Sequence, residues 1–599
     1  MTQVSTTRPA ARARRLWSDL ARTSRAHPVA ATTVLAAVLQ LVWWVLLANS
    51  GGDIAAQDAW AEFAHRHPLS AYNFAWYGGI HPVSYSVMSP YLMAFLGVRT
   101  TMILSAIVSA ALIAFLLVRT TGRRRALLPA LVGAVALFGN SISGRTTFVL
   151  GMAFGLAAVA ALVAWPAAGR WSFAGGRSRE AVAAVLALLA TFGSPVDGLF
   201  LGLLAAALWL QRQRAAAYAI GVPPVLVVVL SKLFFPLSGV QPMHWPSAIL
   251  PCLMAVFVYL TAPVEWRIAR VASVVYVVGV LLCWLIPTPI GTNVTRLGLI
   301  FGGVVLTAVL VSGEARTPFP RRVSLGGWSR AVPVVLFAVL ALVTSGTWQV
   351  ATAVHDLVHT TPDRAWDVDT ARVVAQLRDL GAQTTRIEVV PSASHREVSA
   401  LSPPFVLARG WNRQVDAKLN ERFYDRHDPM THLEYQTWLR AWAVSYVVVP
   451  PGRPDNGSIT ENELISQGAP YLRLVWQDAN WRVYRVLGAS PTVSGGARVV
   501  RWDEAGMTVD VPRPGRYVIK EKYSRHMVLV DATGAPYASP DSMAANVDGC
   551  VHEELPPGSD DEPSDEKDLT TGWTVLQAPR EGIYRLTSDY THATDCPQE

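Results

Sequence analysis

Long apolar stretches recur along the first 350 residues and are separated by short polar segments. A helix needs about 20 apolar residues, with a range of about 17–25, to cross a bilayer. The pattern predicts eleven membrane spans: 28–48, 101–118, 126–139, 148–165, 181–193, 199–210, 215–231, 246–261, 271–286, 297–311 and 331–348. The stretches 181–193 and 199–210 are short, so they are predicted either as two spans or as one broken pair.

The basic residues between these stretches predict the orientation in the membrane. Arginines crowd the segment before the first span, and they recur in every second loop, as in "GRRR" at 122–125. Because cytoplasmic loops carry an excess of Lys and Arg, residues 1–27 are predicted to form a basic cytoplasmic N-terminus. Eleven crossings would then leave the chain after residue 348 outside the cell. We therefore expect a multi-pass plasma-membrane protein with a large extracytoplasmic C-terminal region.

After residue 348 the pattern becomes that of soluble domains. The stretch "DVDTARVVAQLRDLGAQTTRIEVVPS" has apolar residues at helical spacing, then a glycine, then a β-prone run. The stretch "EYQTWLRAWAVSYVVVPPG" repeats this order, so residues 349–487 are predicted to form an extracytoplasmic α/β domain. From 488 to 599, β-prone segments alternate with Gly and Pro, which predicts a β-sandwich-like domain. The predicted fold class is an α-helical polytopic membrane domain at 28–348 followed by these two domains.

Composition and charge support a membrane protein. Only 16% of the 599 residues are charged, against about 25% in soluble domains. The net charge of +8 could indicate nucleic-acid binding, but the arginines lie in short loops beside apolar runs, so membrane topology explains them better and we expect no nucleic-acid partner. Cys550 and Cys596 fall in the extracytoplasmic part, where either a disulfide or two free thiols would fit.

Few carboxylates are available on the predicted outer side of the membrane domain. Asp53, Asp58 and Glu62 follow the first span, and Asp197 lies between the two short apolar stretches. A carboxylate close to low-dielectric surroundings suits general-base chemistry or binding of a divalent cation, so Asp53 and Asp58 are the catalytic candidates. The alternative is that they are ordinary acidic residues at a helix start, where negative charge is favourable. For Asp197 the structural alternative is a cap on the following helix.

The first outer loop, at about 49–100, is rich in aromatic residues and contains "AYNFAWYGGIHPVSYSVMSPYL". Such residues favour the headgroup region of a bilayer, so the loop is predicted to lie in the membrane interface. The same rings can stack on sugars. Glu62, Trp76, Tyr77 and His81 are therefore candidate substrate-binding residues in this loop.

Other outer loops supply cations that could hold a lipid phosphate. The candidates are Arg145 in "NSISGRTT", Lys232 in "SKLFFPLSG" and Arg296 in "GTNVTRLG". Arg296 begins a span beside hydroxyl side chains. An arginine that only reaches toward the interface from a span end is the structural alternative.

The layout resembles that of the GT-C superfamily of glycosyltransferases, which use polyprenyl-phosphate sugars. The shared features are an N-in multispan region, acidic residues directly after the first span, a long first outer loop and an extracytoplasmic C-terminal domain. More narrowly, "YGGIHPVSYSVMSP", "SPVDGLFLG", "PIGTNVTRL" and "RGWNRQVD" resemble segments of actinobacterial cell-envelope membrane proteins. The resemblance implies that Asp53 acts on the acceptor hydroxyl as base or as metal ligand, with Asp58 as second choice. Many members have adjacent acids there, whereas this chain has "GGDIAAQD".

The segment "RGWNRQVD" at 409–416 combines Arg409, Trp411, Arg413 and Asp416. Cations, aromatic rings and acids in such combinations occur in carbohydrate sites. A salt-bridge cluster that docks the soluble region on the membrane domain explains the same residues.

These features favour a membrane glycosyltransferase that moves a sugar from a polyprenyl-phosphate donor to a cell-envelope glycan or lipid acceptor on the outer leaflet. One alternative is a non-catalytic assembly or glycan-binding protein, and a transporter or lipid flippase is the other. The chain contains no P-loop, no G-x-S-x-G, no H-E-x-x-H and no Cys-rich zinc motif. The expected partners are membrane lipid, polyprenyl phosphate and envelope glycan. The sequence does not identify a cofactor; a divalent cation at the first-loop carboxylates is the one candidate.

Overall fold

A computed structural model describes residues 22–84, 86–163, 177–236, 239–313, 331–402, 404–536, 548–554, 572–591 and 595–596. Most of the predicted cytoplasmic N-terminus and Tyr85 lie outside these residues, as does most of the segment "EELPPGSDDEPSDEKD" at 553–568, which is rich in acidic residues and proline. The chain divides into two compact units. Unit 1 comprises residues 1–48, 99–230 and 241–357, and unit 2 comprises residues 49–98, 231–240 and 358–599.

The helices are, in chain order, α1 (Pro28–Val42), α2 (Asp53–Arg66), α3 (Ser89–Leu96), α4 (Val98–Thr121), α5 (Arg123–Ile142), α6 (Thr146–Leu162), α7 (Arg177–Gly193), α8 (Pro195–Leu210), α9 (Arg214–Phe234), α10 (Trp245–Thr261), α11 (Arg267–Leu285), α12 (Thr295–Ser312), α13 (Ala331–Thr360), α14 (Ala365–Val368), α15 (Thr370–Asp379), α16 (Glu397–Ala400), α17 (Arg413–Leu419), α18 (His432–Ala441) and α19 (Ile459–Gln467). The strands are β1 (Arg386–Val389), β2 (Val406–Leu407), β3 (Val444–Val449), β4 (Leu472–Gln477), β5 (Arg482–Val486), β6 (Arg498–Asp503), β7 (Gly506–Val511), β8 (Gly515–Lys522), β9 (Met527–Val530), β10 (Cys550–Glu553), β11 (Trp573–Ala578) and β12 (Gly582–Ser588).

Each predicted apolar stretch lies largely or wholly on a helix: α1 and its π-helical continuation Trp43–Leu47, and then α4 to α13. Within the part of the chain that the structure describes, seven helices are long and apolar enough to cross a membrane: Pro28–Leu47, Val98–Thr121, Arg123–Ile142, Arg214–Phe234, Arg267–Leu285, Gly291–Ser312 and Leu336–Thr360. The helices α6, α8 and α10 are apolar but shorter. A helical region of membrane character is therefore present, while the count of eleven crossings and their orientation stay predictions.

The two short stretches form a tight helical hairpin in which Ser194 alone separates α7 from α8. Small residues let these helices pack closely against α6, because short side chains allow backbones to approach. Ala158 of α6, Ala187 and Ala190 of α7 and Ala205 of α8 are buried in one cluster. A Cβ at Gly193 would lie 3.1 Å from the Cα of Gly151, so glycine is needed at this contact.

Unit 2 contains the predicted α/β layer. Its sheet has the order β2-β1-β3-β5-β4, with β1 parallel to β2 and β3, and β5 antiparallel to β3 and β4. All four residues of β1 are buried. Burial of a short strand with no exposed position is typical of the centre of a parallel sheet covered on both faces.

The β-rich end forms two antiparallel sheets, β10-β11-β8 and β6-β7-β12-β9. Their inward side chains, among them Trp502, Tyr517 and Leu586, share one apolar core, as expected for a sandwich. Cys550 and Cys596 form a disulfide across a sequence separation of 46 residues. The disulfide alternative for these two cysteines is thus confirmed.

Residues 49–98 fall within the predicted membrane domain at 28–348, and that domain boundary stays a prediction. They belong to unit 2. Hydrogen bonds explain this grouping: the Trp76 indole donates to Ser402 Oγ at 2.8 Å, and the Tyr77 hydroxyl donates to the Gly410 carbonyl at 2.7 Å. The first outer loop therefore belongs to unit 2, and its rings Tyr72, Phe74, Trp76 and Tyr77 are buried in the core of that unit.

Candidate functional site

Asp53 is the first residue of α2, and a tightly packed glycine turn fixes its position. Gly52 has φ +60°, and its amide donates to the Ser394 carbonyl at 2.6 Å. A Cβ at Gly51 would lie 1.9 Å from the Thr360 carbonyl oxygen. Asp53 is half-buried, and its carboxylate forms no hydrogen bond or ion pair with any residue that the structure describes. The carboxylate is therefore held at a defined point of unit 2 by backbone contacts and is open to a ligand.

The three first-loop carboxylates do not converge on one point of α2. Glu62 is nine residues after Asp53, and at about 100° per residue the two side chains leave the helix on opposite faces. Glu62 is exposed and its Oε1 lies 3.2 Å from Nε of Arg66, whose Nη2 lies 2.9 Å from Oε1 of Glu504. Asp58 is half-buried, five residues after Asp53 and four before Glu62. The role of Asp53 as the base stays a prediction, while Glu62 belongs to an ion-pair network.

The aromatic candidates of the first loop are buried. Trp76 and Tyr77 are each 1% exposed, and the Trp76 ring meets the Trp60 ring edge-on at 4.9 Å. Burial raises the pKa of the Tyr77 hydroxyl well above its usual value. Neither ring presents a face on which a sugar could stack, so their role in this structure is to join the first loop to the α/β layer.

His81 is also buried, and burial lowers the pKa of its imidazole to about 4. Its Nδ1 lies 3.0 Å from the Ala71 carbonyl and its Nε2 lies 3.4 Å from the Ser524 hydroxyl. A neutral ring that donates from Nδ1 and accepts at Nε2 satisfies both contacts. His81 therefore stabilises unit 2 and has no free nitrogen for a substrate.

Of the three candidate cations, Arg145 is already paired. It is the N-cap residue of α6, and its Nη2 lies 3.0 Å from Oδ2 of Asp356 within unit 1. Lys232 lies near the end of α9 with an exposed side chain, in the short segment that groups with unit 2. Neither arrangement marks a phosphate site by itself.

Arg296 lies in the first turn of α12, beside an apolar cavity. Its guanidinium carbon is 5.2 Å from the centre of the Phe148 ring. The turn that carries it is fixed by Tyr276, whose hydroxyl donates to the Val294 carbonyl at 2.9 Å and accepts from the Gly298 amide at 3.1 Å. This double contact anchors the start of α12 to α11 and so restricts where the guanidinium can reach.

The cavity lies within unit 1 and has a volume of about 330 Å³. Six helices line it, namely α4, α6, α8, α10, α11 and α12, and nearly all of the contributing side chains are apolar. Along α12 the lining runs from Leu297 to Ala308, a length of roughly 16 Å at about 1.5 Å per residue. An elongated apolar cavity of this size can accommodate part of an extended hydrocarbon chain.

Asp197 is the acidic residue of this cavity; in the sequence it is one of the four carboxylates predicted on the outer side, with a helix cap as the structural alternative. It lies in the first turn of α8, is 4% exposed and lines the cavity. Its Oδ2 has no hydrogen-bond partner in the part of the chain that the structure describes. The Ser194 side chain and the positive charge of Arg296 are the polar groups that act on its carboxylate. The Arg296 guanidinium packs over Phe148 and Oδ2 of Asp197 lies against Gly151 in the next turn of α6, so the two residues lie near each other at the end of the cavity that Leu297 lines.

The segment 409–416 forms a buried polar cluster inside unit 2. Arg409 is 3% exposed, donates twice to Asp416, at 3.0 and 2.7 Å, and donates to Glu461 at 3.3 Å. Its guanidinium also lies over the Phe423 ring at 4.4 Å. Of the two interpretations of this segment, a carbohydrate site does not fit Arg409 and Asp416, because no sugar can reach them; they form a salt bridge inside the unit.

A second buried cluster, centred on His395, has no counterpart in the sequence motifs. His395 adopts φ +50°, stacks on Trp411, and lies between Glu397 at 3.3 Å and Asp455 at 3.6 Å. Although burial opposes its charge, the two carboxylates raise the pKa of the imidazole to about 9. Glu397 is two residues away along the chain, but Trp411 and Asp455 come from distant segments, so no local motif could have identified the whole cluster.

Among the described residues, no group of three or more His, Cys, Asp or Glu side chains is arranged to hold a metal ion. The divalent cation considered for the first-loop carboxylates stays a prediction.

Comparison with known proteins gives one match by sequence. A family model described as a domain of unknown function (DUF8823) matches residues 494–599, which is the β-rich end of the chain. No curated protein matches. Since the family model covers less than a fifth of the chain, it does not assign the whole protein to a family.

Two solved structures are similar to the chain at low sequence identity. One is the archaeal oligosaccharyltransferase AglB from Archaeoglobus fulgidus in complex with an inhibitory peptide and a dolichol-phosphate, with 9% identity and a TM-score of 0.42 over 71% of this chain and 70% of that chain. The other is ArnT from Cupriavidus metallidurans bound to undecaprenyl phosphate, with 15% identity and a TM-score of 0.35 over 76% of this chain and 98% of that chain. At these TM-scores the similarity identifies no site residues, so the site residues are assigned from the contacts within this chain.

Proposed function

We propose that this chain is a membrane glycosyltransferase that takes a sugar from a polyprenyl-phosphate donor and transfers it to a cell-envelope glycan or lipid acceptor on the outer leaflet. The observation that carries the proposal is the elongated apolar cavity of unit 1, with Asp197 and Arg296 at one end. A cavity that is apolar along its length and charged at one end suits a lipid with a polar head.

The apolar walls favour a hydrocarbon ligand over a soluble one. Met152 of α6, Leu204 of α8 and Phe301 of α12 contribute to walls that offer a water-soluble substrate few hydrogen bonds. A polar molecule that entered would lose its hydration without compensation, at a cost of about 1–3 kcal/mol for each unpaired group. An isoprenoid chain has no hydrogen-bonding groups, so its transfer into the cavity leaves no polar group unpaired.

The head of such a lipid would lie near Arg296. Leu297 lines the cavity and Arg296 precedes it in the same helical turn. A guanidinium can bind a phosphate through two parallel hydrogen bonds, which fixes both its position and its orientation. We assign to Arg296 the phosphate of the donor, which becomes the leaving group when the sugar is transferred.

The proposed base is Asp53 of unit 2. Transfer of a sugar to a hydroxyl requires a group that accepts the hydroxyl proton, and a carboxylate without a protein partner is suited to this step. The backbone contacts of Gly51 and Gly52 hold Asp53 in place before a substrate binds, which lowers the entropy cost of reaching the reactive geometry. Asp58 is the second candidate.

The experiment is a transfer assay on the full chain in lipid nanodiscs. The protein would be incubated with undecaprenyl-phosphoryl sugars carrying a labelled hexose or pentose, together with envelope glycan fragments, and the products analysed by mass spectrometry. The proposal predicts release of undecaprenyl phosphate together with a glycosylated acceptor. Binding of the lipid without any transfer, under conditions in which the lipid crosses the bilayer, would instead support a flippase.

A variant that narrows the cavity tests the lipid assignment. Gly302 lies on the cavity side of α12, and a Cβ there would lie 3.6 Å from Met254 side-chain atoms, which is ordinary contact. Gly302→Leu therefore adds bulk to the cavity where a Cβ is tolerated. We expect this variant to lose binding of undecaprenyl phosphate, whereas Gly346→Leu, which makes the same change in α13 at a glycine with open space around it and outside the cavity, should retain it.

A further inference from the structure

The Oδ2 atom of Asp197 is a hydrogen-bonding atom without a partner in apolar surroundings. The residue is 96% buried by side chains and backbone, yet no donor among the residues that the structure describes reaches this oxygen. Leaving a buried carboxyl oxygen unpaired is unfavourable, and nearly all such groups in folded proteins have a partner. Because Asp197 lines the cavity, its missing partner is best supplied by the ligand of that cavity.

The backbone around Asp197 leaves room for this carboxylate. A Cβ at Gly151 of α6 would lie 2.5 Å from Oδ2, so any larger residue at position 151 would displace it. The amide of Asp197 donates to the Ser194 carbonyl at 3.1 Å, which sets the first turn of α8. The Asp197 side chain is therefore positioned by the first turn of α8, and its carboxylate occupies space that a larger residue than Gly151 would fill.

Building on the proposed function, we infer that Asp197 forms a hydrogen bond with a hydroxyl of the sugar that the lipid donor carries. The geometry points to the sugar because the Arg296 guanidinium packs over Phe148 and Oδ2 of Asp197 lies against Gly151, one turn further along α6. If Arg296 holds the phosphate, the sugar attached to that phosphate is the next group at this end. Asp197 then contributes to the selection of a sugar-bearing lipid over the bare lipid phosphate.

A hydroxyl fits this position better than the other groups of the donor. The isoprenoid chain has no hydrogen-bonding group, and an ionised carboxylate repels a phosphate. A hydroxyl both donates and accepts, so it pairs with the carboxyl group of Asp197 whether that group is ionised or protonated. A metal ion is a poorer candidate, since the described residues provide no group of three ligands there.

The test compares two lipids on the full chain in nanodiscs, undecaprenyl phosphate and undecaprenyl-phosphoryl sugar with a hexose or a pentose. We expect the wild-type protein to bind at least one sugar-bearing lipid about tenfold or more tightly than the bare lipid. Asp197→Leu keeps a similar volume and removes all hydrogen bonding, so it should reduce that ratio to about one and leave binding of the bare lipid within about twofold. Asp197→Asn, which can still pair with a hydroxyl, should retain part of the preference.

The matched control is Glu265→Leu, which makes the same chemical change at an exposed position outside the cavity and should keep the wild-type ratio. Equal loss of both lipids in folded Asp197→Leu and Asp197→Asn proteins would overturn the inference, because the carboxylate would then serve only the packing. Equal affinity of the wild-type protein for bare and sugar-bearing lipids would also overturn it and leave the lipid assignment intact. If the wild-type protein binds neither lipid, the proposed function itself fails.

Discussion

The two units handle buried charge in opposite ways. In unit 1 the apolar helices surround few charged groups, and Asp197 faces a cavity with an unpartnered oxygen. In unit 2 several buried acids surround Arg409 and His395 and are paired with them at short range. A buried charged group with a perturbed pKa often indicates a functional site, but in this chain such groups have two different roles. The charge that faces a cavity indicates a ligand, whereas the charge that is paired inside a core indicates stability.

Glu388 is a buried acid of unit 2 that differs from the acids paired with Arg409 and His395. It lies in β1, is fully buried, and both of its carboxyl oxygens lack a partner. Burial, together with the nearby Glu461, raises its pKa well above the usual value of a glutamate. Its neighbours are the acids around Arg409, so a bound proton removes the unfavourable charge. The unpartnered oxygens of Glu388 therefore differ in meaning from Oδ2 of Asp197.

The largest expected effect tests the structural role of charge in unit 2. Arg409→Met leaves Asp416 and Glu461 buried without their cation, and breaking such a pair from one side costs about 3–5 kcal/mol. Denaturant unfolding of the full chain, followed by hydrogen exchange of peptides around 409–416, would measure it. Arg501→Met removes an exposed pair with Asp503 and should change the free energy of unfolding by about 0–1 kcal/mol. Equal effects of the two variants would refute the distinction between the clusters.

The next effect concerns catalysis. Asp53→Asn keeps the shape of the side chain but removes its ability to take a proton, so sugar transfer should fall about 10²-fold or more. The transfer assay described above measures this rate. Asp379→Asn, at an exposed position of α15 in the same unit, is the matched control and should transfer at the wild-type rate. A folded Asp53→Asn protein with near wild-type transfer would exclude Asp53 as the base.

A smaller effect is expected for the phosphate contact in unit 1. Arg296→Gln removes the charge and the fork of donors while keeping a polar side chain, so affinity for undecaprenyl phosphate should fall about tenfold. Arg145→Gln is a useful comparison, because Arg145 is already paired with Asp356 and should contribute less to lipid binding. If the two variants weaken lipid binding equally, Arg296 has no special part in holding the phosphate.

The smallest expected effect is a pH dependence of unit 2. Burial raises the pKa of Glu461 and of Glu521 to about 7, so the folded state holds more protons than the unfolded state between about pH 4.5 and pH 7. The pKa of His395, at about 9, has the same consequence between about pH 6.5 and pH 9. Stability should therefore fall as the pH rises through both windows.

At acidic pH the stability has the opposite pH dependence, because His395 and Arg413 hold the pKa of Asp455 well below its usual value. That contribution is present above about pH 4 and is lost as the pH falls further. Hydrogen exchange of β1 at pH 5 and pH 9 would show greater protection at pH 5, after correction for the intrinsic exchange rate. Glu461→Gln should flatten the change between pH 4.5 and pH 7; an unaltered profile would refute the role of Glu461.

Much of the secondary structure follows from the sequence pattern. The apolar stretches lie on helices in unit 1, and the two helix–strand segments lie in the α/β layer of unit 2, because apolar spacing depends on local geometry. The sequence alone did not decide whether Cys550 and Cys596 form a disulfide. An extracytoplasmic compartment favours the bond, but only the distance between the two residues in the fold decides it. The helical period by itself predicts that Asp53 and Glu62 lie on opposite faces of α2.

What the sequence by itself determined is therefore the local periodicity: helices of membrane character, followed by α/β and β-rich regions. The outer-side location of the few carboxylates stays a prediction. The tertiary structure decided that Trp76 and Tyr77 are core residues, that Arg409 is a structural cation, and that Asp197 faces a cavity beside Arg296. The physical reason is that burial and pairing depend on groups far apart along the chain. A local pattern of apolar and polar residues contains no information on which distant side chain will fill the space beside it.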